Sequence, residues 1–359
     1  MSWLLAFAGF ALLVILHELG HFWAAKAVGM RVEKFSLFFP PTIFSRKRGE
    51  TEYAIGAIPA GGYVKITGMN PDEDLPDEVR TRAYYAQPVW KRIVVIGAGP
   101  AMNLILAFLL LFLFFAAIGA ETGTSRVGVI ERGYPAAGVL EPGDRLVAVD
   151  GRRGTPRELS EQIASHRCPA ITPAEGCRAA QPATVTVVRD GRERSYELTP
   201  IYDPVAERTR LGFSYRAGPR ETLPVGESVE VTADRFWFIT KATLELPARL
   251  LDAEQRREIS GVVGSYETTR QTILNDLAEV VGILAIISLS LAIVNLFPFL
   301  PLDGGHIFWA IVEKVRGKPV PFSVMERAGV VGFMLVILIF LVGLSNDIDR
   351  LSGEGFQVR

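Results

Sequence analysis

Two of the four histidines in this 359-residue chain lie four apart, in His17-Glu18-Leu19-Gly20-His21. On a helix, positions i and i+4 share a face, so both imidazoles can bind one metal ion. Glu18 stands beside them and can act as general base toward a water that the metal polarises. The same five-residue pattern also arises by accident in soluble helices, where the histidines are simply solvated. Here it follows sixteen uncharged residues, within a segment apolar enough to enter a bilayer. Leaving a carboxylate and two imidazoles in lipid is costly unless they are compensated, so ionisable residues there carry function by default. The metal reading is therefore the stronger one.

A catalytic zinc takes three protein ligands and leaves one position for water or substrate, so a further ligand is needed. The segment Asn295-Leu296-Phe297-Pro298-Phe299-Leu300-Pro301-Leu302-Asp303-Gly304-Gly305-His306 supplies two candidates, Asp303 and His306. Both fall at the end of an apolar stretch, at the same membrane depth as His17 and His21. His166 lies in a domain on the other side of the membrane and is excluded by topology.

Four uncharged segments could position these groups: residues 3–16, 93–119, 280–300 and 328–344. Hydrophobic residues make up 49% of the chain, and the mean hydropathy is +0.26, both high for a soluble protein. Residues 93–119 and 280–300 meet the length of roughly 20 residues that a bilayer core demands. The last segment is slightly short, and the first is interrupted by its own polar cluster. A cleaved signal peptide is rejected for the first segment, because Met1-Ser2 carries no positive charge and no small-x-small site precedes the cluster.

Residues 24–92 hold eleven Lys and Arg, and residues 301–327 add Lys314, Arg316, Lys318 and Arg327. The positive-inside rule places both loops in the cytoplasm, and both termini outside. The net charge of −1, with no strongly basic domain, gives no reason to expect nucleic acid as a partner. The only two cysteines, Cys168 and Cys177, fall in the long segment between spans two and three. If that segment is extracytoplasmic, an oxidising compartment favours a bridge closing about ten residues, worth roughly 2–3 kcal/mol.

Residues 125–200 read as β-rich. Arg145 to Val149 is flanked by the turn signals Pro142-Gly143-Asp144 and Asp150-Gly151, and the strand pair Ala183–Val188 and Glu193–Leu198 meets at Asp190-Gly191. Thr155 to His166 is helical, with Leu159 and Ile163 at i, i+4. Residues 226–258 look like an amphipathic segment on the outer membrane surface, interrupted by Pro247.

The pairing of His17-Glu18-x-x-His21 in the first span with Leu302-Asp303-Gly304 after a Pro-interrupted third span resembles the motif pair of site-2 proteases. The resemblance implies Zn2+ held by His17, His21 and Asp303, with Glu18 as the catalytic base and His306 outside the ligand set. It implies that Asn295 contacts the substrate backbone. This chain departs from the Pro-x-Pro of many members, having Pro298 and then Leu300-Pro301, which bears on the path of the segment. Ile58 to Lys65 resembles the family's membrane-associated β-hairpin, with Gly61, Gly62 and Tyr63 as substrate-binding residues. Gly97 to Asn103 matches the second span, and Ile259 to Gly264 a segment preceding the third. Ala136 to Gly151 resembles the signature of bacterial PDZ domains. Such domains bind peptides by strand addition, here along Val127 to Ile130, or exclude bulky substrates sterically.

The expected fold is a mainly α membrane protein with about four transmembrane helices, a membrane-associated β-hairpin loop and an extracytoplasmic β-rich PDZ domain. The expected boundaries are 1–26, 93–119, 277–306 and 328–346 for the spans. Between them lie the cytoplasmic loops 27–92 and 307–327, the PDZ domain 120–202, the amphipathic segment 203–276 and a tail 347–359. The resemblance implies an intramembrane zinc metalloendopeptidase of a bacterial inner (plasma) membrane. Its partners would be single-pass membrane proteins of the anti-sigma-factor type or signal-peptide remnants, with a peptide or substrate tail at the PDZ domain. Two alternatives are another metalloprotease family, which would take a Glu as third ligand, and a PDZ-bearing adaptor, which would have no need of Glu18.

Overall fold

The computed structural model describes residues 2–70, 73–170, 174, 176–203, 206, 208–250, 252, 256, 261–276 and 278–352. In chain order the principal elements are α1 (Ser2–Ala27), β1 (Val32–Arg48), β2 (Thr51–Ile66), α2 (Val89–Leu113), β3 (Ala120–Ile130), β4 (Arg145–Val149), α3 (Pro156–Ala164), β5 (Ala183–Arg189), β6 (Arg192–Leu198), β7 (Phe213–Glu221), α4 (Val225–Leu244), α5 (Val262–Asn275), α6 (Glu279–Asn295), α7 (Asp303–Arg316) and α8 (Phe322–Ser352). The chain forms two compact units, residues 118–222 and the remainder.

In the larger unit, among the described residues, three helical stretches are long and apolar enough to cross a membrane: Leu4–Ala27, Val89–Ile118 and Ser323–Asp349. The third apolar segment folds as α6, which is shorter, at 17 residues. Its end follows from chemistry. Pro298 has no N–H and disfavours helix in the residue before it, so the helix stops at Asn295 and an irregular stretch follows. α2 packs against both α1 and α6, and the Ser288 hydroxyl of α6 donates to Asn103 O at 3.0 Å. The charged terminus of α2 is fixed by Arg92, whose guanidinium makes a two-pronged pair with Glu313 on α7 at 2.9 and 2.6 Å.

α4 falls within the segment expected to be amphipathic. It buries a narrow face, Ser228, Thr232, Ile239 and Thr243, and packs along α2 and α6. Phe236 meets Phe108 with ring centroids 6.2 Å apart. Much of the expected segment beyond residue 250 lies outside the described residues, as do Ile259, Ser260 and the end of the tail. α5 begins where Asp347 of α8, fully buried, accepts the backbone N–H groups of Gly261 and Gly264 at 3.0 and 2.8 Å. A carboxylate supplied by another helix thus satisfies donors that a helix start leaves free.

The expected hairpin is present and more folded than a simple ribbon. Lys34 to Leu37 are matched on one side to Gly62–Lys65 and on the other to Glu52–Ile55, while Phe44 to Arg48 pair back onto Thr51–Ile55. Residues 62–66 therefore form an outer edge. Val32, Phe35 and Ile66 join Phe22, Ala25, Val95 and Ile96 in one buried cluster, which fastens this sheet to α1 and α2.

The smaller unit, Ile118–Thr222, is a β-sheet of order β7-β3-β4-β5-β6, with Arg152–Arg153 paired onto β4. Alternate residues of β5 are buried, as period-two side-chain geometry requires. Val127, Leu146, Val149, Val185 and Val187 form its core with Leu159 and Ile163 of α3. Each such side chain contributes about 1.5–3 kcal/mol on burial. Thr155 caps α3 in a reciprocal box with Glu158. Cys168 and Cys177 are disulfide-bonded, with Cα atoms 5.9 Å apart.

Two expectations are corrected in this unit. The β domain extends past residue 202 to Thr222, because β7 completes its sheet. Val127 to Ile130 is not an open edge. β7 lies along it, with Tyr215 opposite Val127 and Phe213 opposite Ile130, so β7 is the edge strand. With Gly218 and Pro219 in its sequence, β7 reads as a loop, and only its pairing with β3 makes it a strand.

Candidate active site

α1 delivers the two histidines. His17 and His21 are one turn apart, with ring centroids separated by 4.8 Å, and both are buried, at 6% and 7% exposure. Their Nε2 atoms stand 3.2 Å from each other. Packing of α2 brings its backbone against them. A Cβ at Gly99 would come within 2.2 Å of His21 Nε2, so any larger residue there would occupy the imidazole's place. His21 Nδ1 donates to Val95 O at 2.9 Å.

Asp303 arrives from the other side. It is the first residue of α7, immediately after the irregular stretch that follows α6. The chain turns so sharply that a Cβ on Gly304 would lie 2.1 Å from Leu296 O, and this is the structural need behind the glycine that follows Asp303. The carboxylate Oδ2 then stands 3.1 Å from His17 Nε2 and 3.4 Å from His21 Nε2. It makes no well-formed hydrogen bond to either.

Three donor atoms separated by 3.1, 3.4 and 3.2 Å fit a common divalent ion. Ligands about 2.0–2.1 Å from a tetrahedral zinc lie roughly 3.3 Å apart. Among the described residues these three form the one His, Cys, Asp and Glu group so arranged. The structure thus brings together the three residues expected as ligands. His306 lines the same cavity but stands outside the trio.

The cavity beside the trio measures about 310 Å³ and is lined by Glu18, Tyr63, Val64, Met69, Asn295, Pro301 and His306, among others. The Glu18 side chain lies against the outer edge of residues 62–66, where a Cβ on Gly62 would stand 3.2 Å from its Cγ. Asn295, the last residue of α6, and Tyr63 both face this space. Gly62 packs directly on the Glu18 side chain, whereas Gly61 lies against the Phe39 ring and does not line the cavity. Cys168 and Cys177 belong to the β unit and take no part in the trio.

Sequence reasoning overlooked the supports behind the histidines. Asn103, fully buried, has its side-chain amide 3.4 Å from His17 Nδ1. Its signal was available: an amide side chain in an uncharged 27-residue run needs a buried partner. The Val95 carbonyl had no such signal, since every residue carries one.

Comparison with known proteins agrees with this chemistry. Residues 5–339 match the family model described as Peptidase family M50. A Brucella suis protein is 31% identical, with 93% of this chain and 92% of that protein covered. A Nostoc protein is likewise 31% identical, over 96% and 93%, and one from Rhizobium meliloti is 29% identical, over 95% and 95%. All three carry the name "putative zinc metalloprotease". The chain belongs to peptidase family M50, the site-2 proteases, whose members use zinc.

Proposed function

We propose that this chain is an intramembrane zinc metalloendopeptidase, cutting single-pass membrane proteins within or beside their transmembrane segments. The observation that carries the proposal is the convergence of His17, His21 and Asp303 on one point, the two histidines on a helix long and apolar enough to cross a membrane. Four spans are proposed, α1, α2, α6 and α8, with α6 completed by the irregular stretch that follows it. Backbone that is not helical is tolerated at membrane depth only where protein or a water-filled cavity surrounds it, and Pro301 does line the cavity.

His17, His21 and Asp303 would hold the ion. When bound there, zinc supplies Lewis-acid polarisation of a peptide carbonyl and lowers the pKa of water toward neutrality. Glu18 takes a proton from the attacking water and returns it to the departing amine nitrogen. A peptide bond inside a helix is shielded by its own hydrogen bonds, so the substrate must be held extended. Residues 62–66 offer an outer strand edge for that purpose, and Tyr63 of that edge and Asn295 bring polar side chains to the same cavity.

The β unit is proposed to be a PDZ domain outside the cytoplasm, which accords with its disulfide. Its open edge is β7, so a peptide or substrate tail would add along β7. Substrates of the anti-sigma-factor type and a bacterial inner membrane are part of the same proposal. The relatives named above come from bacteria.

The test is to reconstitute the purified chain with a single-pass membrane reporter and map the cut by mass spectrometry. A cut inside the hydrophobic segment supports the proposal. Cleavage confined to soluble loops contradicts it.

A further inference from the structure

A metal-binding imidazole uses one ring nitrogen for the ion, and the hydrogen bond made by the other fixes which one. For His21 the arrangement is settled. Val95 O can only accept, so His21 Nδ1 carries the proton and Nε2 faces Asp303 with its lone pair free.

For His17 the corresponding neighbour is a side chain. Asn103 lies 3.4 Å from His17 Nδ1 and is fully buried, and among the described residues its Oδ1 has no hydrogen-bond partner. An amide can present either end, because rotation by half a turn exchanges oxygen and nitrogen in nearly the same outline. With Nδ2 toward His17, Nδ1 must be the acceptor, and the ring proton sits on Nε2, pointing at Asp303. With Oδ1 toward His17, the proton moves to Nδ1 and Nε2 is free to bind an ion. The turn sacrifices no contact of Oδ1. The site of Asn103 is itself held in place, since Ser288 of α6 donates to its backbone carbonyl.

We propose that Asn103 is a positioning residue that accepts a hydrogen bond from His17 Nδ1–H and so selects the tautomer that leaves Nε2 open to a divalent cation. α2 would then orient both histidines, one through a backbone carbonyl and one through an amide side chain. The inference rests on the metal site proposed above.

The experiment measures zinc affinity by chelator competition on the full chain in detergent, for wild type, Asn103→Leu and Asn103→Asp. Leucine has similar bulk and no acceptor, and affinity falls about 10–100-fold. Aspartate offers only acceptors, and affinity stays within a few-fold of wild type. Because aspartate shares asparagine's outline and would preserve packing as well, it is zinc lost from Asn103→Leu at unchanged thermal unfolding that separates an acceptor role from a packing role. Wild-type zinc affinity in Asn103→Leu overturns the inference, as does equal loss in both variants with unchanged thermal unfolding. A wild-type chain that binds no zinc overturns the metal site, and this inference with it.

Discussion

Gly62 lies directly against Glu18: a Cβ at position 62 would stand 3.2 Å from Glu18 Cγ and 2.9 Å from Ser36 O. The sheet edge and the general base are therefore in contact, and only hydrogen at this position leaves the carboxylate its room. Gly62→Val is expected to displace the Glu18 side chain while His17, His21 and Asp303 are untouched. Because misplacement of a catalytic group by about 1 Å costs up to ~100-fold, turnover should drop about 10- to 100-fold with zinc content unchanged. Full activity in Gly62→Val would show that the contact is dispensable.

The Arg92–Glu313 pair links α2 to the helix that begins with Asp303. Arg92 is only 8% exposed, so removing its partner strands a charge. Arg92→Leu and Glu313→Leu should each destabilise the chain by roughly 1–3 kcal/mol. The double variant should lose clearly less than the two losses added, because neither charge is then left alone. Thermal unfolding in detergent reads all three, and strict additivity would mean that the two side chains do not depend on each other.

Glu50 provides a pH dependence away from the membrane spans. The Arg82 guanidinium, then the Lys26 ammonium, hydrogen-bond its carboxylate and hold its pKa down to about 2. A carboxyl whose pKa is depressed by folding stabilises the fold fully above its unfolded value. That contribution declines as pH falls, and is gone below the folded value. Partial exposure and solvent screening limit it to about 1 kcal/mol. The difference in unfolding temperature between wild type and Glu50→Gln should thus narrow as pH is lowered from about 6 to about 3. A gap that stays constant over this range would contradict the assignment.

Parts of this site were legible because their signals are local. His17 and His21 announce themselves by spacing, and Pro298 by the helix it must end. Asp303 was one of two candidates until the Leu-Asp-Gly resemblance separated it from His306, and the structure keeps the same choice. What escaped has no local signature. The Val95 carbonyl is a backbone group that any residue would offer, and its value comes from where tertiary packing puts it. β7 escaped for a related reason. Its Gly218 and Pro219 oppose strand formation, and its pairing with β3 across most of the β unit overrides that preference. α4 gave its amphipathic pattern but not its neighbour, since small polar faces such as Ser228 and Thr232 fit a helix groove as well as water.

The most direct test of the account is to measure zinc content and cleavage of a membrane reporter in parallel, for wild type and Glu18→Gln. Glu18 stands beside the trio without belonging to it, so the account predicts about one zinc per chain in both proteins and cleavage in wild type alone. Cleavage by Glu18→Gln at the wild-type rate would contradict the assignment of the base. Loss of zinc from that variant would contradict its separation from the ligands.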